Sequence, residues 1–304
     1  MSDEVFDEVL EVPDPDLQDR YAGLVGVDSV KERLLQEGLL LLAPNRIREW
    51  SLEHYDSVLP GVADLAHRPP LIILAGDVGT GKTALATCFP DALARQTGID
   101  LTVFHLGLSS RGHGAVGEMT RRLGAAFSRV ADHARQAVGG PTSEPAHGAV
   151  FVIDEADSVA QSRDLDQMHH EDRAGVNAII RGIDQLAHPT VAAICVMCTN
   201  RGDAIDPAVQ RRATLTLAFD RPTPEQRASV LKSLLGEALT DTEYDKLAAA
   251  TGEASARVGY TFSDLRTRLA PEILLRCLSA GPITLSIALD AAESIEPTAP
   301  FGGA

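Results

Sequence analysis

The chain has 304 residues, 44% hydrophobic and 23% charged, a composition that supports one or two buried cores. Its 43 acidic against 27 basic residues give a formal charge of -16, a field that opposes phosphate backbones, so nucleic-acid binding would need a local basic patch. No apolar run is long enough to span a membrane, the start MSDEVFDEVL carries acids where a secretory leader carries bases, and four cysteines are too few for a disulfide framework; a cytoplasmic protein is expected.

Residues 1–20 hold eight acidic side chains together with Pro13 and Pro15, which reads as a flexible acidic arm. A linker and helices are expected over 21–70, with a helix at 29–42 ending near Pro44 and a less regular connector at 51–68. From Leu71 the apolar runs LIILA, LTVFHL, AVFVID, VAAICVMC and TLTLAF have strand length and alternate with helical stretches, of which 118–138 is the clearest. Such nearly all-apolar strands imply a parallel sheet covered on both faces. A loop is read at 139–148 from its Gly, Pro and Ser content. Beyond Arg221 the pattern turns helical, at 224–237, 242–250, 263–279 and 284–293. The expected division is a large domain at 71–221, a small helical lid at 222–295 and a tail at 296–304.

The strongest motif is Gly76, Asp77, Val78, Gly79, Thr80, Gly81, Lys82 and Thr83, directly after a strand and before a helix. Glycines let backbone N–H groups wrap a phosphate, the helix presents its positive end, Lys82 reaches the outer phosphates, and the Thr83 hydroxyl suits Mg²⁺. The strand at 149–154 ends in Asp154 and Glu155; Asp154 would hold Mg²⁺ and Glu155 would act as general base on the attacking water. The letters DEAD at 154–157 also occur in one class of RNA helicase, but those need two RecA-like domains, and only about 150 mostly helical residues follow. Asn200, after the strand at 191–198, could bond the γ-phosphate or simply occupy a turn. Arg211 and Arg212 could stabilise transition-state charge from a neighbouring subunit, or be ordinary surface arginines. Cys195 and Cys198 are read as core, because residues three apart on a strand face opposite ways, and Met168–Asp172 as a polar loop.

Together these residues resemble an AAA+ ATPase over roughly 21–280, with the motifs in the family's order. The resemblance implies an α/β fold: a P-loop NTPase three-layer αβα sandwich with a five-stranded parallel sheet, plus a small C-terminal all-helical lid domain. It assigns Gly76–Thr83 to Walker A, Asp154 and Glu155 to Walker B, Asn200 to the first sensor, Arg211 and Arg212 to the finger acting on a neighbour's ATP, and Val25, Gly26 and Asp264 to the adenine side. The stretch DRAGVNAIIRGIDQL at 172–186 is similar to the pachytene-checkpoint family, whose members remodel HORMA-domain proteins, in bacteria within CBASS anti-phage operons. What it implies is a homo-hexameric Mg-ATPase acting on a HORMA-domain partner, itself associated with a nucleotide cyclase.

Two departures from the family pattern stand out. Within the expected pore loop His113, Gly114, Ala115, Val116 and Gly117, alanine occupies the place where unfoldases carry an aromatic, which fits limited remodelling. Ser263 falls near the second-sensor arginine, and whether Arg266 replaces it stays open. The competing readings are an AAA+ nucleic-acid loader or motor, a Rubisco-activase-type remodeller, and a non-hydrolysing nucleotide-sensing scaffold; the intact Lys82, Asp154 and Glu155 argue against the last.

Overall fold

The structure is a computed structural model that describes residues 5–65, 68–108, 116–135, 145–160, 170–254 and 257–300. In chain order it carries β1 (Glu8–Val12), α1 (Pro15–Ala22), α2 (Asp28–Leu42), α3 (Pro44–Tyr55), α4 (Pro60–Leu65), β2 (Leu71–Gly76) and α5 (Lys82–Thr97). There follow β3 (Asp100–Gly107), α6 (Val116–His133), β4 (His147–Asp154), α7 (His170–Leu186), β5 (Ala193–Thr199), α8 (Pro207–Gln210) and β6 (Ala213–Phe219). Helices α9 (Pro224–Leu235), α10 (Asp241–Ala250), α11 (Ala270–Ala280) and α12 (Leu285–Ser294) complete the chain, with a widened π-type turn over Asp264–Leu269 leading into α11. No helix among the described residues is long and apolar enough to cross a membrane.

Two compact units divide these elements: 1–21, 29–75 and 83–217 form the first, and 22–28, 76–82 and 218–304 the second. The first is built on a sheet of order β1-β3-β4-β5-β2-β6, in which β3-β4, β4-β5 and β5-β2 pair in parallel. All five expected strands are present, and the sheet has a sixth. On one face Ile73, Phe104, Phe151, Ile153 and Met197 pack with Leu123, Phe127, Val130, Ile179 and Ile183 of α6 and α7. The alternate residues Ile72, Val103, Val150, Val152, Ile194 and Val196 are also fully buried, the two-sided covering that apolar strands require. At Gly182 any Cβ would run into the Phe127 ring, so glycine lets α7 lie close against α6.

The sixth strand corrects the reading of residues 1–20 as a flexible arm. Glu8–Val12 pairs antiparallel with β3, from Glu8 opposite His105 to Val12 opposite Leu101. Phe6 anchors it, buried with its ring 4.8 Å from Phe104 and 6.0 Å from Phe151. Asp7 accepts from the Gly107 N–H at 2.6 Å and from Arg122 Nη2 at 2.9 Å. Glu8 and Glu11 are exposed and Val12 is buried, and the strand lies at the edge of the sheet, so its acids reach solvent while the strand stays paired. The connector at 51–68 likewise contains the end of α3 and α4, α3 closing on Asp56 in a left-handed conformation. His170–Asp172, read as loop, begin α7, whereas Met168 and His169 lie outside the described residues.

The second unit gathers α9–α12 around Val230, Leu231, Tyr244, Leu247, Tyr260, Leu265, Leu269 and Ile273. Its helices start where the sequence supplies caps. Thr223 with Gln226 and Thr240 with Glu243 form reciprocal capping boxes, and Thr284 caps α12.

Candidate active site

In the second unit, residues 76–82 form a loop that only glycine-rich sequence permits. A Cβ on Gly76 would collide with the Phe219 carbonyl, and Gly79 (φ 74°) lets Ser263 donate its N–H to the Gly79 carbonyl at 3.0 Å. Gly81 (φ 96°) has open space where a side chain would stand. Lys82 is 5% exposed, and its Nζ donates to the carbonyls of Gly76 at 2.9 Å and Asp77 at 2.8 Å. The Thr80 hydroxyl donates to the Asp77 carbonyl at 2.8 Å, while Val78 projects outward. The backbone of a glycine-rich loop, a buried ammonium and a helix start make a fitting cradle for polyphosphate.

Beside this loop, within the same unit, an apolar cavity is lined by Val25, Thr80, Gly81, Phe219, Val230, Phe262 and Arg266, among others. Val25 therefore lies on its wall, and Gly26 (φ 82°) sits next to it with its carbonyl accepting from Gln226 Nε2 at 2.5 Å. Arg266 also donates to the Gly23 carbonyl at 2.7 Å. Asp264 does not reach the wall. Its buried carboxylate accepts from the Thr261 N–H at 3.0 Å, the Thr298 N–H at 3.1 Å, the Thr298 hydroxyl at 2.7 Å and Arg268 at 3.1 Å. Burial opposes the charge on Asp264, but the backbone N–H of Thr261 and the Thr298 bonds outweigh it and hold the carboxyl below the ordinary carboxylate range.

In the first unit, the sheet order sets β5 between β4 and β2, so the ends of these strands lie side by side. Ile153 faces Met197, and Ala75 faces Thr199. Thr83, at the start of α5, donates its hydroxyl to Asp154 Oδ2 at 3.0 Å, which brings together the two expected metal-binding oxygens. Asp154 Oδ1 accepts the Glu155 N–H at 3.0 Å. Glu155 itself adopts a left-handed backbone (φ 53°, ψ 43°), costly for a side chain with a Cβ and common at sites where function fixes direction. A hydroxyl and a carboxylate meeting on hard oxygen donors suit Mg²⁺, so these residues fit the ion.

Sequence reading missed Asp157. Its Oδ1 accepts from the Thr199 hydroxyl at 2.9 Å and the Asn200 N–H at 3.3 Å, tying Asn200 to the turn after Asp154 and Glu155. The only sequence signal was a third acid after the strand. The two arginines diverge. Arg212 is bonded to Asp184 at 3.0 and 3.4 Å and to the Ala208 carbonyl at 3.1 Å, whereas Arg211 is exposed. His113, Gly114 and Ala115 lie outside the described residues; Val116 and Gly117 open α6. Cys195 packs toward α6 and α7, burial pushing its thiol pKa up, and Cys198 faces the other side of the strand.

The AAA family, ATPases associated with various cellular activities, matches residues 72–221. CD-NTase-associated protein 6 of Escherichia coli (strain MS 115-1) is 45% identical over 98% of this chain and 96% of its own. A chain of the "E. coli MS115-1 HORMA:CdnC:Trip13 complex" superposes with a TM-score of 0.86 at 43% identity, covering 97% of each chain. Rhizobiales Trip13 gives a TM-score of 0.74 at 37% identity over 97% of this chain and 100% of that one. The chain belongs to the family of CD-NTase-associated protein 6, Trip13-like proteins built on an AAA ATPase domain.

Proposed function

We propose that this protein is a cytoplasmic Mg-dependent ATPase that remodels a HORMA-domain partner and so regulates a CBASS anti-phage system whose effector arm includes a nucleotide cyclase. The observation that carries the reading is the near full-length identity to CD-NTase-associated protein 6, together with the likeness to a chain of the HORMA:CdnC:Trip13 complex.

The chemistry divides among named residues. Amides of Gly76–Gly81 and the Lys82 ammonium carry phosphate oxygens, the ammonium exchanging its bonds to the Gly76 and Asp77 carbonyls for them. Thr83 and Asp154 supply hydroxyl and carboxylate oxygens to Mg²⁺, which when bound neutralises charge on the β- and γ-phosphates. Glu155 takes the proton of the attacking water, and Asn200, held by Asp157, bonds the γ-phosphate or that water. Val25 and the cavity beside it receive the adenine. In a homo-hexamer Arg211 acts on the ATP of the adjacent protomer, because Arg212 is already bonded to Asp184. The lid at 222–295 transmits the nucleotide state, and the loop His113–Gly117 grips the partner.

The test is capture with the Glu155→Gln variant in Mg-ATP, which retains ATP and therefore partner. Recovery of a HORMA-domain protein in ATP and not in ADP is the expected result. Recovery of DNA released by salt in its place overturns the remodeller reading in favour of a nucleic-acid motor.

A further inference from the structure

Asp77, the second residue of the phosphate loop, is a carboxylate in a segment whose proposed ligand carries several negative charges. It is bound by one guanidinium. Arg221, just after β6, donates Nε and Nη2 to Asp77 Oδ2 at 2.8 and 2.6 Å. The same group donates Nη1 to the Gly259 carbonyl at 2.5 Å and Nη2 to the Thr298 carbonyl at 2.7 Å. Both partners are mostly buried, at 18% and 19% exposure, so solvent screens the pair little. The contacts run on through the same unit: Asp77 Oδ1 accepts the Val78 N–H at 2.8 Å, and Thr298 bonds Asp264, which in turn accepts from Thr261 beside Gly79.

We propose that Arg221 is a positioning residue of the nucleotide site: it balances the Asp77 charge and fixes the phosphate loop to Gly259 and Thr298, so that polyphosphate meets the Lys82 ammonium with the neighbouring carboxylate already neutralised. The inference rests on the nucleotide reading of residues 76–83. Arginine suits the task because its planar fork reaches a carboxylate and two carbonyls at once and stays charged at every physiological pH. Taking it away removes a bonded positive charge beside the phosphates and leaves the Asp77 carboxylate without its guanidinium counter-charge.

Binding of the fluorescent nucleotide mant-ADP with Mg²⁺ reads this directly, on the full chain, with Lys82→Ala as the control for the site itself. Arg221→Ala is expected to weaken binding about tenfold, and adding Asp77→Asn to restore it to within about threefold of wild type. Asp77→Asn alone, which removes the carboxylate charge and keeps Arg221, is expected to bind mant-ADP about threefold more tightly than wild type, and keeps the inference testable should Arg221→Ala fold poorly. Wild-type affinity in Arg221→Ala, a double variant no better than Arg221→Ala, or an Asp77→Asn variant that binds tenfold more weakly would each overturn the proposal. If mant-ADP binds wild type and Lys82→Ala alike, the nucleotide reading itself fails, and this inference with it.

Discussion

Asp157 accepts the hydroxyl of Thr199 at 2.9 Å across two neighbouring strand ends, so the turn after β4 is tied to the turn after β5. Asn200 hangs from the same carboxylate oxygen. Asp157→Ala should therefore lower kcat for ATP about tenfold while leaving KM for ATP nearly unchanged, the pattern of a group that orients another. Steady-state kinetics decide it; a raised KM with unchanged kcat would place Asp157 in binding instead.

Glu155 makes two opposed demands on one position. Its left-handed backbone is strained, so Glu155→Gly should raise the thermal midpoint by relief of about 1 kcal/mol while turnover falls by a hundredfold or more. Glu155→Gln keeps the strain and loses only the base, so it should melt like wild type and retain ATP. Parallel melting and phosphate-release measurements separate the two effects.

Arg211 and Arg212 should part in the same pair of assays. Arg211→Ala is expected to lower ATPase activity by about 10³-fold with the melting temperature unchanged, since the side chain is exposed. Arg212→Ala removes the partly exposed pair with Asp184 and should cost up to about 1 kcal/mol of stability. In mixing experiments only Arg211→Ala should recover activity with Lys82→Ala protomers.

Asp264 carries a pH signature. Its carboxyl is held below the ordinary range in the folded chain, so the stabilisation is complete above the ordinary carboxylate pKa and disappears as pH falls through the lower folded value. Asp264→Asn should melt below wild type at neutral pH, and the gap should close on acidification. A gap independent of pH would show that Asp264 acts through its shape and not its charge.

How much of this was legible in the sequence follows the range of each interaction. Gly76–Thr83 and Asp154–Glu155 are local motifs between strand and helix, and their elements stand where the apolar runs put them. The C-terminal helices were equally readable, because the helical pattern that starts after Arg221 is local; the structure adds that Thr223, Thr240 and Thr284 cap three of them. Residues acting at long range stayed hidden: Arg221 meets Asp77 across 144 positions, and Asp157 meets Thr199 across 42. The segment Glu8–Val12 misled for a related reason. Its acids suit solvent in an arm and on an exposed strand alike, and only Phe6, packed against Phe104 and Phe151, distinguishes the two. Phe6→Ala should accordingly destabilise the protein by about 3–5 kcal/mol, measurable by denaturant titration, whereas truncating a side chain of a loose arm would cost nothing.

The strand β1 also imposes an order on synthesis. Glu11 bonds Thr102, 91 residues later, and Phe6 needs Phe151 to complete its packing. At ribosomal rates the first strand made waits on the order of 5–20 s for its partner. During that interval Phe6 and the edge of Glu8–Val12 lack their partners, and Glu8 and Glu11, one on each face of the strand, add like charge that opposes pairing between nascent chains until β3 emerges.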